Sequence, residues 1–260
     1  MTAIIGYQNL LAAAASTVTR DTSDATDKPV ANAYDYATHS TWQAAATGVA
    51  QIDIDAGAAV SADYLGIAAH DLTGKLAVSA SAILIEAATA SNYSDKATVA
   101  QIADTDVTVD ESIFKAFTSV NKRYWRISIN FATVADIGVI FLGERLTIPV
   151  GLGPGFAPPD FAPKDRVTNQ MTEGGAFIGR VVQSQGVGFT MELAGMTPAF
   201  MRSDYLAFMV HARVKPFFVQ WNNASFSSES AYCWNKGPIR EARYSERLAM
   251  THSLTLQGIK

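Results

Sequence analysis

The chain has 260 residues, 48% hydrophobic and 17% charged, with 20 Lys/Arg against 24 Asp/Glu and a net charge of −4. That length holds one large all-β domain or two of ordinary size, and the low charge suits a protein that buries surface against partners as well as in its own core. Residues 1–142 carry 8 basic and 15 acidic side chains and residues 143–260 carry 12 and 9. The asymmetry supports two domains, but neither half has the dense basic patch of a nucleic-acid binder, so no sequence-specific nucleic-acid binding is expected.

The one cysteine, Cys233, excludes an intrachain disulfide and a cysteine-built zinc site and suits a reducing cytosol. No run approaches the roughly 18 apolar residues of a membrane span. The apolar start, Met1 to Ala15, lacks the basic n-region of a signal peptide.

Residues 1–28 read as an N-terminal extension, apolar and then polar. Pro29 to Trp42 interleaves aromatic and polar residues without helical spacing, as an ordered surface loop does. Val49 to Gly57 alternates apolar and acidic residues, which predicts a half-exposed strand. Further strands are expected at Tyr64–His70, Leu76–Ala88, within Val107–Phe117, at Arg123–Asn130 and at Val139–Leu142. Ile137 to Leu142 is apolar apart from Gly138 and reads as a strand buried on both faces. Many short strands with turn signals and no amphipathic helix describe a sandwich or jelly roll over residues 29–149.

The run 150–168 is dense in Gly and Pro and reads as a linker. Beyond it, strands are expected at Gly175–Val182, Gly188–Leu193, Lys215–Trp221, Tyr232–Trp234, Ile239–Tyr244 and Met250–Leu256. Pro216 makes the third an edge strand or one paired only beyond the proline. One helix, near residues 198–211, interrupts them. Thr197 can cap it, Pro198 suits its first position, and Met201, Tyr205, Phe208, Met209 and Ala212 make an apolar stripe to pack on a sheet. Residues 169–260 thus form a second, mainly β domain around one helix.

These residues resemble a known family. Trp42, Gln51–Gly57, Tyr64–Leu72 and Tyr124–Ile129, in that order, are similar to the galactose-binding-like (discoidin-type) jelly roll. The ending Ile137–Pro149 is similar to the form found in tail proteins of tailed bacteriophages. The second half, ending in Leu254–Gly258, resembles the tail-tube-like β domain of distal tail proteins. Those proteins typically form a ring, commonly of six subunits, between tail tube and baseplate hub. The resemblance therefore implies a structural virion protein with a lumen for DNA passage, made in the host cytoplasm, with itself, the tube protein and the hub as partners. The better-known members place the tube-like domain first; here the order is reversed.

No catalytic motif stands out, so no enzyme activity, cofactor or metal is expected. The four histidines, His39, His70, His211 and His252, form no HExxH and are scattered. Asp53 and Asp55 share a strand face, which fits a carboxylate pair but also ordinary exposed charge. Asp104, Asp106, Asp110 and Glu111 could chelate Ca²⁺ but lack EF-hand spacing. Gly151–Gly155 lacks the Lys-Ser/Thr of a phosphate loop. Tyr34, Tyr36, His39 and Trp42 are the candidate glycan contacts, the alternative function being a carbohydrate-binding module or adhesin; the other reading has Trp42 plugging the barrel bottom and the tyrosines packed on neighbours. Phe217, Phe218, Trp221 and Trp234 are the candidate oligomer contacts.

Overall fold

A computed structural model describes residues 2–21, 23–153, 155–246 and 248–260. The chain is mainly β, built on antiparallel sheets, and divides into two compact units that part between Thr147 and Ile148.

The first unit contains β1 (Ile4–Gly6), β2 (Thr17–Arg20), β3 (Trp42–Gln43), β4 (Gly48–His70), β5 (Ile83–Ala88), β6 (Ala97–Ile102), β7 (Ile113–Phe131), β8 (Asp136–Gly143) and β9 (Leu146–Thr147). Its frame is the long antiparallel pair β4–β7. The first part of β4 lies between β2 and the end of β7, with β5 and then β6 beyond. The last part of β4 lies between the start of β7 and β8, with β3 beyond. Two long strands thus serve two sheets whose inward residues share one core, the arrangement of a jelly-roll sandwich.

The composition of β4 explains the change of sheet. Ile52 and Ile54 point inward while Asp53 and Asp55 stay partly exposed, as period two requires. From Ala62 to Ala68 every residue is buried. Between the two parts, at Gly57, φ is +77° and the pairing with β7 shifts register. A Cβ there would lie 2.9 Å from the Ala15 carbonyl oxygen, so glycine suits the bend on both counts.

The second unit contains β10 (Arg166–Met171), β11 (Phe177–Ser184), β12 (Val187–Met196), β13 (Phe217–Gln220), β14 (Ser230–Asn235), β15 (Arg243–Glu246) and β16 (Ala249–Ile259). Its sheet runs β12-β16-β14-β13, with β15 also on β16. β10 and β11 pair with each other as a separate two-stranded ribbon. The helical run consists of Pro198–Phe200, a π-helical turn Met201–Tyr205, and Leu206–Ala212. Thr197 Oγ1 accepts the Phe200 N–H at 3.3 Å. The expected stripe of Met201, Tyr205, Phe208, Met209 and Ala212 is buried.

Two expectations about organisation change. Residues 1–28 are no free extension: Thr17–Arg20 hydrogen-bonds along β4, from Thr17 opposite Asp55 to Arg20 opposite Ile52. Alternation in this short strand is masked by its polar residues, and only the partner strand makes it a strand. The stretch 150–168 is no free linker either. Leu152 bridges Leu193, Pro163 bridges Val187, and Lys164 N–H donates to the Gly186 carbonyl at 2.7 Å. Gly and Pro here shape a chain that lies along β12 rather than one that hangs free. Pro154 lies outside the described residues. The strand expected over Leu76–Ala88 is confined to Ile83–Ala88.

Candidate functional site

The expected glycan platform is built from the loop between β2 and β3. Asp24 anchors it with both carboxylate oxygens: Oδ2 accepts the Val30 N–H at 2.8 Å and Oδ1 accepts the Trp42 indole N–H at 2.8 Å. Trp42 is completely buried, its ring 6.2 Å from that of Phe131 and 4.5 Å below the Arg20 guanidinium. It is a core residue, and the expectation that it contacts ligand is corrected. An indole whose one polar atom is satisfied by a buried-side carboxylate supplies packing area to the sandwich.

Tyr34 packs half-buried against the same core. Tyr36, held at φ +70°, meets Phe141 edge-on at 5.3 Å. His39 is exposed. Its loop is fixed by Asp35, which accepts the Ala37 N–H at 2.7 Å and the Ser40 hydroxyl at 2.6 Å. The structure therefore places Tyr34 and Trp42 on one core and Tyr36 on Phe141, and His39 is the member of the set left exposed.

The expected oligomer contacts are also corrected. Phe217 and Phe218 are fully buried inside the chain, Phe217 against Phe208 at 4.9 Å and Phe218 against Tyr232 at 5.0 Å. Trp221 stacks on Phe226 at 5.2 Å and donates to Glu229 Oε2 at 2.5 Å. Trp234 is half-buried. Phe217, Phe218 and Trp221 serve the unit's own core, Phe217 against Phe208 of the helical run, and only Trp234 keeps part of its surface exposed.

The surface that sequence reasoning missed is the ribbon β10–β11. Along it Met171, Phe177, Ile178, Val181 and Val182 are 47–66% exposed. Met171 pairs with Phe177 and Val167 with Val182 on its ladder, while Val181, opposite Thr168, belongs to the other face. The signal available in the sequence was the doublets Phe177-Ile178 and Val181-Val182, which put apolar residues on both faces of a strand with no layer to cover either.

The carboxylate pair on β4 resolves into two ion pairs. Arg126 Nε and an Nη donate to the two oxygens of Asp53 at 2.6 and 2.8 Å, and Arg123 grips Asp55 likewise at 2.7 and 2.9 Å. The Asp55 carboxyl is held below its usual range chiefly by the hydrogen bonds from Arg123. Neither carboxylate is placed to act as acid or nucleophile.

Three carboxylates of the acidic stretch near Asp104 accept backbone N–H groups. Asp104 accepts from Ser79 N–H at 2.9 Å, Asp106 from Ala103 N–H at 3.3 Å and Asp110 from Thr73 N–H at 2.9 Å. Among the described residues no group of three or more His, Cys, Asp or Glu converges on a metal position. Among the described residues no helix is long and apolar enough to cross a membrane.

His70 and His252 are structural. His70 Nδ1 accepts the Leu72 N–H at 3.3 Å, which leaves Nε2 to donate to the Glu111 carbonyl at 2.7 Å. His252 Nε2 donates to the Arg240 carbonyl at 2.8 Å, and its Nδ1 accepts the Tyr205 hydroxyl at 2.8 Å. Burial pushes both imidazoles below their usual range.

No family model and no curated protein matches the chain. Solved structures with some likeness are a Ruminococcus gnavus fucosidase in complex with fucose (14% identity, TM-score 0.44), a Clostridium perfringens module, CpGH89CBM32-5, in complex with GalNAc-beta-1,3-galactose (8%, 0.40), and chitosan-binding module 1 of a Paenibacillus chitosanase/glucanase (16%, 0.39). They cover 54%, 49% and 52% of this chain. The match spans 27% of the fucosidase, and 94% and 98% of the two modules.

Proposed function

We propose that the chain is a structural subunit that assembles with copies of itself, as a ring in a phage tail tip, and carries its sandwich unit as an appended module. The observation that carries this reading is the β10–β11 ribbon. A two-stranded ribbon by itself is marginal in water, yet this one also exposes five large apolar side chains. Covering them would contribute on the order of several kcal/mol per copy. A ribbon that packs on a different surface of the next copy makes a head-to-tail contact, which forms a ring when the rotation between copies closes. The tail assignment itself, with tube and hub proteins as neighbours and the virion as location, rests on the residue resemblance over residues 28–149 and in the second half. The reading assigns the chain no catalytic step.

Light scattering of the purified protein, followed by electron microscopy, tests it. The expected result is a closed ring, reduced to monomers by Phe177→Asp with Ile178→Asp; both positions are exposed, so the fold survives. A wild-type protein that stays monomeric, and never forms rings on tail particles, overturns the reading.

A second reading, contact with host-surface carbohydrate, is favoured by His39, exposed on a loop that Asp35 holds rigid beside Tyr36. The solved structures named above are titled for sugars, at TM-scores too low to carry an argument. Glycan-array binding weakened by His39→Ala or Tyr36→Ala supports it, and binding to no host glycan counts against it.

A further inference from the structure

We propose that the cleft beside the end of the helical run binds a short segment of a carboxylate-bearing sugar polymer. The cleft holds about 570 Å³ and lies between the turn after Ala212 and the end of β14. A second hollow of about 380 Å³ adjoins it, sharing Asn235, Gly237, Pro238 and Ile239 as lining. The two walls are tied where Asn235 Nδ2 donates to the Ala212 carbonyl at 2.5 Å and where Lys236 N–H donates to the Thr255 carbonyl at 3.0 Å.

The lining of both hollows has one sign of charge. Arg213 and Lys215 line the first hollow, Lys236 and Arg240 the second, and no Asp or Glu lines either. Glu241 follows Arg240, but its carboxylate is taken by Arg243. Arg213 and Lys215 sit near the C-terminal end of the helical run, where cations suit the helix dipole. Lys236 and Arg240 belong to the connection between β14 and β15 and answer no such end. Cations gathered in a concave wall concentrate anions locally even on a protein of net charge −4.

The remaining lining narrows the ligand. Trp234, half-buried, lines the first hollow together with Pro216 and Pro238. The open part of an indole suits the apolar face of one pyranose ring, and spaced cations suit carboxylates recurring along a sugar chain. A nucleic-acid strand is less well served, since tracking one takes several aromatic platforms along a basic groove, and this cleft offers one.

The test is titration of the full chain with oligogalacturonate, read by calorimetry and by tryptophan fluorescence. Trp42 and Trp125 are fully buried and Trp221 nearly so, so a change in emission reports chiefly on Trp234. Expected are binding to oligogalacturonate and not to the neutral cello-oligosaccharide of equal length, weakening between about 20 and about 300 mM salt, and a loss of about tenfold or more in Lys236→Ala with Arg240→Ala. Both side chains are exposed, so the double variant keeps its fold, and Lys122→Ala in the other unit serves as the unaffected control. No binding, equal binding of the neutral sugar, tighter binding of oligo-dT, or an unaffected double variant overturns the proposal.

Discussion

Arg126 stands directly across the ladder from Asp53 and holds both its carboxylate oxygens, while its guanidinium lies 4.0 Å from the centre of the Tyr93 ring. Tyr93 in turn donates its hydroxyl to the Trp125 carbonyl at 2.8 Å. One arginine thus joins β4, β7 and the loop after β5. Asp53→Asn is expected to lower stability by about 1–2 kcal/mol, the lower part of the range for hydrogen bonds to charged groups, because both side chains keep about a fifth of their exposure. Asp55→Asn, in the more exposed pair with Arg123, costs less. Urea unfolding of the two variants checks the order, and equal losses would contradict it.

Trp42→Ala removes a fully buried indole and the N–H that Asp24 Oδ1 accepts, leaving that oxygen only its ion pair with Arg20 at 3.4 Å. The expected loss is about 3–5 kcal/mol. Chemical denaturation measures it directly. A stable Trp42→Ala protein would return this residue to the list of ligand contacts.

Gly258 lies where β16 passes β14. A Cβ built on it would sit 2.1 Å from the Tyr232 carbonyl oxygen and 2.9 Å from the Cys233 Cα, both backbone atoms that have no rotamer to move. Gly258→Ala is expected to destabilise by about 1–3 kcal/mol or more. Gly74→Ala meets nothing within 4 Å but sits at φ +70°, so strain rather than collision sets its smaller cost. Thermal unfolding of the pair separates the two causes.

Stability should fall on the acid side of neutrality. His70, His211 and His252 have imidazoles pushed below their usual range, each mainly by burial. The unfolded chain therefore takes up protons first, so stability is complete above the unfolded value of about 6.5 and is lost as pH falls from there towards the folded values. Denaturant midpoints measured across that interval should drop with pH. Imidazole resonances of His70 and His252 that titrate at or above the unfolded value would refute the assignment.

The Cys233 thiol is fully buried, and burial pushes its pKa far up. A thiol reagent should leave the native protein unlabelled and modify one thiol per chain in denaturant. Fast native labelling would mean that β14 opens readily.

Much of the architecture was legible because it depends on local pattern. Alternation marked the start of β4 and the end of β7, the unbroken apolar run marked β8, and Thr197-Pro198 with its stripe marked the helical run. The sites were less legible, because aromatic residues look alike in sequence whether they face ligand, neighbour or core. Trp42 in a polar loop and Phe217-Phe218 in a short strand were equally compatible with display and with burial. Burial depends on what packs above them, and for these residues that is chain distant in sequence.

Arg145 makes the same point for charge. In sequence it adjoins Glu144, yet it pairs with Asp63 at 3.2 Å and its N–H donates to the same carboxylate at 2.8 Å, across 82 positions. The sequence by itself determined the mainly β class, the break near residue 148 and the face of the helix that is buried, since each follows from periodicity and turn chemistry within a few residues. The tertiary structure alone decided which aromatics are core, which carboxylates are already paired, and that the ribbon β10–β11 is left uncovered. Those outcomes turn on long-range neighbours, and no local pattern encodes them.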